Sequence, residues 1–381
     1  MHQGYTFRLK RNGVITVKTY PLESMNMEQA KKLQFKLIDT ITKHFNGKDI
    51  LTLGDLGVVM GINKPVTTLK VEQTLAEFFN AQKVVLLRGA GTGALRWGIL
   101  SMVKPGDTIL VHNAPIYPTT KVTLDSMGLN IIKADFNKDD EIKEILTREK
   151  IDAVLVQYTR QKMDDKYDME NVVKVIHEVS TRIPIITDDN YAVMKVRKTG
   201  VECGADLSAF SLFKLLGSEG IGCLMGKSCY VDKVIELNYS GGSQVQGHEA
   251  LECLRGLVYA PVQLAIQAEV NEELVLRLNN GEVKGVKNAF IANAQSKVLL
   301  VELERNIAKK VLVEAEKLGA APNPVGAESK YEFVPMVYRV SGTFRAEDPT
   351  LEERMIRINP MRSGADTIIR IIREAIKRAE H

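Results

Sequence analysis

Apolar positions in the first two-thirds of the chain gather into short, mainly apolar runs, at 84–87, 108–111, 131–134, 153–157, 183–187, 207–210 and 221–225. Runs of that length, bounded by polar and glycine-rich stretches, predict buried strands. Helical spacing lies between several of them: a helix opening near 89 and running to about 102, then 139–148 and 172–180. Strands alternating with helices imply right-handed crossovers and a mainly parallel, doubly wound α/β sheet. Upstream, strict alternation at 5–9 and 14–17 predicts a hairpin around Asn12-Gly13. A helical pattern follows at 25–45. Residues 68–79 form an amphipathic helix marked by Leu69, Leu75, Phe78 and Phe79. Residues 248–278 read as one long helix. Beyond Glu282 the pattern changes to strands at 298–303, 336–340 and 355–358 and helices at 307–318 and 366–379, a smaller α+β domain. The predicted organisation is an N-terminal arm (1–49), a large domain with its linking helix (50–280) and a small C-terminal domain (281–381).

The chemistry concentrates where strands stop. The run at 183–187 ends in Asp188 and Asp189, and the run at 207–210 ends in Ser211 and then Lys214. Open α/β sheets place their ligands at such strand ends. A lysine at the edge of a hydrophobic sheet is partly desolvated, which frees its amine to attack a carbonyl. An aspartate beside a pyridine nitrogen keeps that nitrogen protonated. Together they are the two groups that pyridoxal phosphate requires. Alone, the pair means little in a chain with 51 Lys+Arg and 47 Asp+Glu. A second signal is Arg88-Gly89-Ala90-Gly91-Thr92-Gly93, between a strand and a helix start. Amide groups and the helix dipole favour phosphate there. The third glycine comes one residue too early for the dinucleotide fingerprint, which disfavours a nicotinamide-dependent oxidoreductase.

Composition narrows the class. The net charge is +4 with no long basic run, so nucleic acid is not implied. Cys203, Cys223, Cys229 and Cys253 include no CxxC pair, and buried, reduced thiols are expected rather than a zinc site or disulfides. The first residues lack an apolar signal core and no run reaches membrane-spanning length. A cytoplasmic enzyme is the expectation.

Asp-x-x-Tyr at Asp188 and Tyr191, Gly-Ala-Asp at Gly204 to Asp206, and Ser-x-x-Lys at Ser211 and Lys214 occur together. This combination resembles the fold-type I pyridoxal-phosphate enzymes. The wording from Phe210 to Gly217 is similar to the selenocysteine-synthase-like group. TDDNYAVMKV, YSGGSQVQG, IANAQSKVL, VGAESKYE and YRVSGTFR resemble the YhfS-type, aminotransferase-like family over nearly the whole chain. The resemblance implies that Lys214 forms a Schiff base with the cofactor and later shuttles a proton. It implies that Asp188 pairs with the ring nitrogen and that Gly91, Thr92 and Ser211 hold the phosphate. Tyr117 would stack on the ring, with a capped helix start at Thr119 or Thr120 as the plainer reading and His112 as another stacker or base. Arg357 would bind the substrate carboxylate; Arg362 and Arg345 are weaker candidates, and Ser329, Lys330 and Tyr331 could line the cleft. Asp189 should face the opposite side. The Asn-Pro that usually follows the strand at 153–157 is missing, leaving Gln157, Arg160 or Gln161 for the ring oxygen. The loops at 50–63 and 239–247 are either connectors or parts of a site shared in a homodimer.

The function expected is a pyridoxal-phosphate-dependent enzyme acting on an amino acid, aminotransferase-like. One alternative is a carbon–sulfur or carbon–oxygen lyase, and another is a non-catalytic binding protein that keeps the fold.

Overall fold

The computed structural model describes residues 5–10, 14–293, 298–325 and 328–381. In chain order the elements are β1 (Tyr5–Lys10), β2 (Val14–Thr19), α1 (Met27–His44), α2 (Val66–Phe78), β3 (Lys83–Arg88), α3 (Ala90–Met102), β4 (Thr108–His112), α4 (Pro118–Ser126) and β5 (Asn130–Ala134). There follow α5 (Asp139–Arg148), β6 (Ala153–Gln157), α6 (Met169–Val179), β7 (Ile185–Asp188), β8 (Leu207–Ser211), β9 (Ile221–Gly226), α7 (Ser228–Leu237) and α8 (Gly247–Asn279). The remainder is β10 (Val286–Ala292), β11 (Val298–Leu303), α9 (Ala308–Lys317), β12 (Met336–Arg339), α10 (Gly342–Glu347), α11 (Leu351–Arg354), β13 (Met355–Asn359) and α12 (Ala365–Ala379). The chain divides into two compact units. The larger comprises Glu28–Thr159 and Tyr167–Pro261, and the smaller Met1–Met27, Arg160–Lys166 and Val262–His381.

The larger unit is built on a seven-stranded sheet in the order β3-β9-β8-β7-β6-β4-β5. The strands β5, β4, β6, β7 and β8 pair in parallel, as the alternating pattern predicts. β9 runs antiparallel to both of its neighbours. Every residue of β7, β8 and β9 is buried, which explains their continuous apolar runs: a strand covered on both faces needs no polar alternation. α3 packs closely on this centre. A β-carbon added at Gly98 would lie 2.5 Å from Cδ1 of Ile186 and 2.9 Å from Cδ1 of Leu224, so only glycine lets the helix approach so near.

The smaller unit holds an antiparallel sheet in the order β10-β11-β13-β12 and the β1–β2 hairpin. The Asn12-Gly13 turn lies outside the described residues. Its core is supplied by Leu299, Val301, Ile356 and Ile358 from the sheet and by Ile368, Ile369, Ile372 and Ile376 of α12. Those isoleucines recur at helical spacing while Arg370, Arg373 and Lys377 take the opposite, exposed face, the pattern of a helix laid on a sheet.

Three details depart from the sequence reading. Strand β10 and helices α7, α10 and α11 are additional elements. The α4 helix is not capped by Thr119 or Thr120; Tyr117 occupies the cap position and Pro118 opens the helix, where its missing N–H costs nothing. Of the four cysteines, all free, Cys223 and Cys253 are buried but Cys229 is exposed, because it sits in the first turn of α7. Among the described residues no helix is long and apolar enough to cross a membrane.

Candidate active site

Asp188 is the last residue of β7 and Ser211 the last of β8. The two strands are parallel neighbours, with Asp188 opposite Ala209. Their C-terminal ends therefore lie side by side, and Lys214 follows in a short 3-10 turn, Phe213–Leu215.

Alternation along an extended chain sends the two acids to opposite sides. Asp189 is fully buried, and its Oδ2 accepts the Gly200 N–H at 2.8 Å. Burial pushes its carboxyl up to about 6. Asp188 is also buried, and burial is the largest influence raising its pKa; bonds from Asn190 and the Lys214 charge oppose that rise. Its Oδ1 accepts both the Asn190 backbone N–H (3.1 Å) and the Asn190 Nδ2 (2.7 Å). The Lys214 Nζ lies 4.0 Å from the centroid of the Tyr191 ring. Tyr191 itself adopts φ +65°, a left-handed conformation that is costly for a bulky side chain and concentrates at functional sites.

The glycine-rich turn leads from β3 into α3. Gly89 takes φ +97° and Ala90 φ +53°, and their amides donate to the Gly220 carbonyl at 2.8 and 2.7 Å. The amides of Gly91 and Thr92 lie in the first turn of α3, where no carbonyl one turn earlier is available to them. A β-carbon at Gly91 would fall 2.6 Å from the Asn190 amide. Thr92 Oγ1 is 3.2 Å from Thr119 Oγ1, linking this turn to the start of α4 beside Tyr117, which is 40% exposed. Ser211 donates its N–H to Asn190 Oδ1 at 3.0 Å, while its buried Oγ has no partner among the described residues. An orphaned buried hydroxyl is costly, and a phosphate oxygen would serve as its acceptor.

Asp188, Ser211, Lys214, Gly91, Thr92 and Tyr117 are thus tied together within the larger unit. The loop at 239–247 joins them: Arg88 forms a bidentate pair with Glu249 at 2.9 and 2.7 Å and reaches the Gln244 carbonyl at 3.3 Å. The same loop holds the 50–63 segment through Gln246 Oε1, which accepts from Gly57 N at 2.7 Å, and the Tyr239 carbonyl, which accepts from Asn63 Nδ2 at 3.0 Å. His112 is structural: Nδ1 accepts the Phe136 N–H at 3.0 Å, and the ring packs on Phe136 and Tyr167. Arg160 gives its guanidinium to the carbonyls of Tyr20 and Asp165. Arg357 is carried by the smaller unit, on β13, buried with its guanidinium 3.9 Å over the Tyr338 ring. Two residues the sequence reading left without a role, Asn190 and Tyr191, lie at the centre of this geometry. Tyr191 was signalled by the Asp-x-x-Tyr spacing; nothing in the sequence marks Asn190.

A lysine and a carboxylate following adjacent strand ends, a glycine-rich turn opening a helix and a buried hydroxyl with no bond among the described residues fit pyridoxal phosphate. Comparison with known proteins agrees. The model of the family described as Cys/Met metabolism PLP-dependent enzyme matches residues 62–293, and that of the YhfS-like C-terminal domain matches residues 272–372. The chain belongs to the Cys/Met metabolism PLP-dependent enzyme family. It is 52% identical over 360 residues to YhfS of Escherichia coli strain K12, covering 94% of this chain and 99% of that protein. The crystal structure of the pyridoxal-5'-phosphate-dependent protein YhfS superposes with a TM-score of 0.93 at 51% identity, over 94% of this chain and 99% of the other. A carbon-sulfur lyase involved in aluminum resistance from Clostridium novyi (TM-score 0.69, 17% identity, 92% and 90% covered) shares the fold alone. So does a cystathione gamma lyase from Micromonospora echinospora (TM-score 0.65, 16%, 82% and 86%). The protein is a fold-type I pyridoxal-phosphate-dependent enzyme.

Proposed function

We propose that this enzyme removes the α-proton of an amino acid and eliminates a substituent from its side chain, as a carbon–sulfur or carbon–oxygen lyase. The observation that carries the reading is the placement of Lys214 and Asp188 at neighbouring strand ends beside the cradle of Gly91, Thr92 and Ser211. Lys214 would hold the cofactor covalently and, once released by substrate, move the proton. Asp188 would face the ring nitrogen. Gly91, Thr92 and Ser211 would bind the phosphate, and Tyr117 would cover the ring. Arg357 would receive the substrate carboxylate as a bidentate pair. The cofactor supplies an electron sink for the carbanion. Elimination is preferred to transamination because the family is that of Cys/Met metabolism and both fold neighbours named above are lyases. Incubation with a panel of β- and γ-substituted amino acids decides: ammonia and a keto acid with an unchanged cofactor support elimination. Conversion of the cofactor to its amine form supports the aminotransferase reading instead.

The working form proposed is a homodimer in the cytoplasm. Leu51, Leu53, Leu56 and Met60 stand 72–98% exposed on the 50–63 segment, and Tyr239 is 70% exposed on the loop bonded to it. Exposed apolar side chains concentrated in one segment point to an interface, and the loop bonded to this segment reaches Arg88, beside the glycine-rich turn, through Gln244. Light scattering at low micromolar concentration should return twice the chain mass; a monomer would remove this part of the proposal.

A further inference from the structure

Asn190 stands where three separate segments meet. Its backbone N–H and its Nδ2 both donate to one oxygen of Asp188, Oδ1. Its Oδ1 accepts the N–H of Ser211, at the end of the lysine-bearing strand, at 3.0 Å. Its amide fills the space that a side chain at Gly91 would need, 2.6 Å from the ideal β-carbon position to both Nδ2 and Oδ1. The orientation of the amide follows from its partners: only nitrogen can donate to a carboxylate, and only oxygen can accept an N–H. Two donors on Oδ1 leave Oδ2 of Asp188 without a hydrogen bond among the described residues. They also supply what a buried carboxylate lacks, donors that favour its charged form.

We propose that Asn190 is a positioning residue of the cofactor site: it turns Asp188 so that Oδ2 faces the ring nitrogen, and it locks that acid to the phosphate turn at Gly91 and to the lysine strand at Ser211. The inference rests on the assignment of Asp188 to the ring nitrogen. It gives Gly91 a second reason to be glycine. Besides letting the backbone approach phosphate, the missing side chain leaves room for the Asn190 amide. Without that amide the buried acid holds a proton more tightly, and the proton shared with the cofactor moves from ring nitrogen to Asp188.

The test uses the full-length protein reconstituted with pyridoxal phosphate labelled with 15N in the ring. Three readouts are taken: the ring-nitrogen chemical shift, the cofactor dissociation constant and the melting temperature of the cofactor-free protein. Asn190→Ala should weaken cofactor binding about tenfold or more, the size of one lost hydrogen bond to a charged group. It should also move the nitrogen shift toward that of unprotonated pyridine. Asn190→Ser, which keeps a donor, should recover part of both. Gly91→Ala should move the shift in the same direction by pushing the amide aside, and in Gly91→Ala/Asn190→Ala the nitrogen shift should lie no further from wild type than in Asn190→Ala alone, whatever Gly91→Ala costs in phosphate affinity. A wild-type nitrogen shift in Asn190→Ala, or additive changes of that shift in the double variant, would overturn the inference while leaving the cofactor assignment intact. If Asn190→Ala does not fold, Asn190→Ser and Gly91→Ala carry the same decision. A wild-type protein that binds no pyridoxal phosphate, or binds it with an unprotonated ring nitrogen, would overturn the inference and the assignment of Asp188 together.

Discussion

The Nζ of Lys214 stands 4.0 Å from the centre of the Tyr191 ring. A cation over an aromatic face at that separation is held by about 0.5–2 kcal/mol. The holding residue sits at φ +65°, three positions after Asp188. One strained turn therefore packs a ring against the amine and follows directly on Asp188. Strain of this kind persists only where surrounding bonds over-determine it, and here the bonds of Asn190 to Asp188 and Ser211 do so.

Ser211→Ala should separate cofactor binding from folding. The buried Oγ has no partner among the described residues, so removing it should relieve a desolvation cost of about 1–3 kcal/mol in the cofactor-free protein. The same change removes a donor to the phosphate. The variant is expected to melt at or above the wild-type temperature without cofactor and to bind pyridoxal phosphate about tenfold more weakly. Equal cofactor affinity in the two proteins would mean that Ser211 does not reach the phosphate.

Asp189 should make stability depend on pH. The fold raises its carboxyl to about 6, so the folded state prefers the protonated form. That preference stabilises fully below the ordinary aspartate range, near 4, and is lost as pH rises through about 6, a change on the order of 2–3 kcal/mol. Asp188 is raised in the same sense and adds to the trend. Urea unfolding of the cofactor-free protein between pH 4 and 7 should show stability falling with pH. Asp189→Asn keeps an acceptor for Gly200 N–H and should flatten most of that slope. A slope unchanged in the variant would place the titration elsewhere.

Arg357→Ala should act on substrate rather than cofactor. Losing one partner of a bidentate pair costs about 2–5 kcal/mol, so amino-acid binding should weaken by thirtyfold or more while cofactor affinity stays within about threefold. The stacked Tyr338 ring loses its cation, and some stability falls with it. Calorimetric titration with a substrate analogue checks both affinities; unchanged analogue binding would assign the carboxylate to another arginine.

Much of the fold was legible because its signals are local. The strands β6, β7 and β8 are covered on both faces, and their apolar runs stop where Gln157, Asp188 and Ser211 begin the strand ends. Helix α5 was marked from Asp139 to Arg148 by its own periodicity. The antiparallel sense of β9 was not legible, since a buried run reads the same in either direction. Strand β10 follows its first residue, Val286, with Lys287 and Asn288 and carries a register shift there, which hides its alternation. Helix α7 gave no sign because it follows directly on β9 after Lys227. The site divides the same way. Asp188 and Lys214 could be found from the ends of runs. Asn190 could not, because its role comes from Ser211 and Gly91, which are distant in sequence and meet it only in the folded chain.

The central claim is that Lys214 carries the cofactor. Purified protein should show a visible absorbance band that borohydride removes. Peptide mapping of the reduced protein should then find the phosphopyridoxyl group on Lys214, and Lys214→Ala should lose the band while keeping the wild-type fold. A reduced adduct on any other lysine, or a band that survives in Lys214→Ala, would contradict the account.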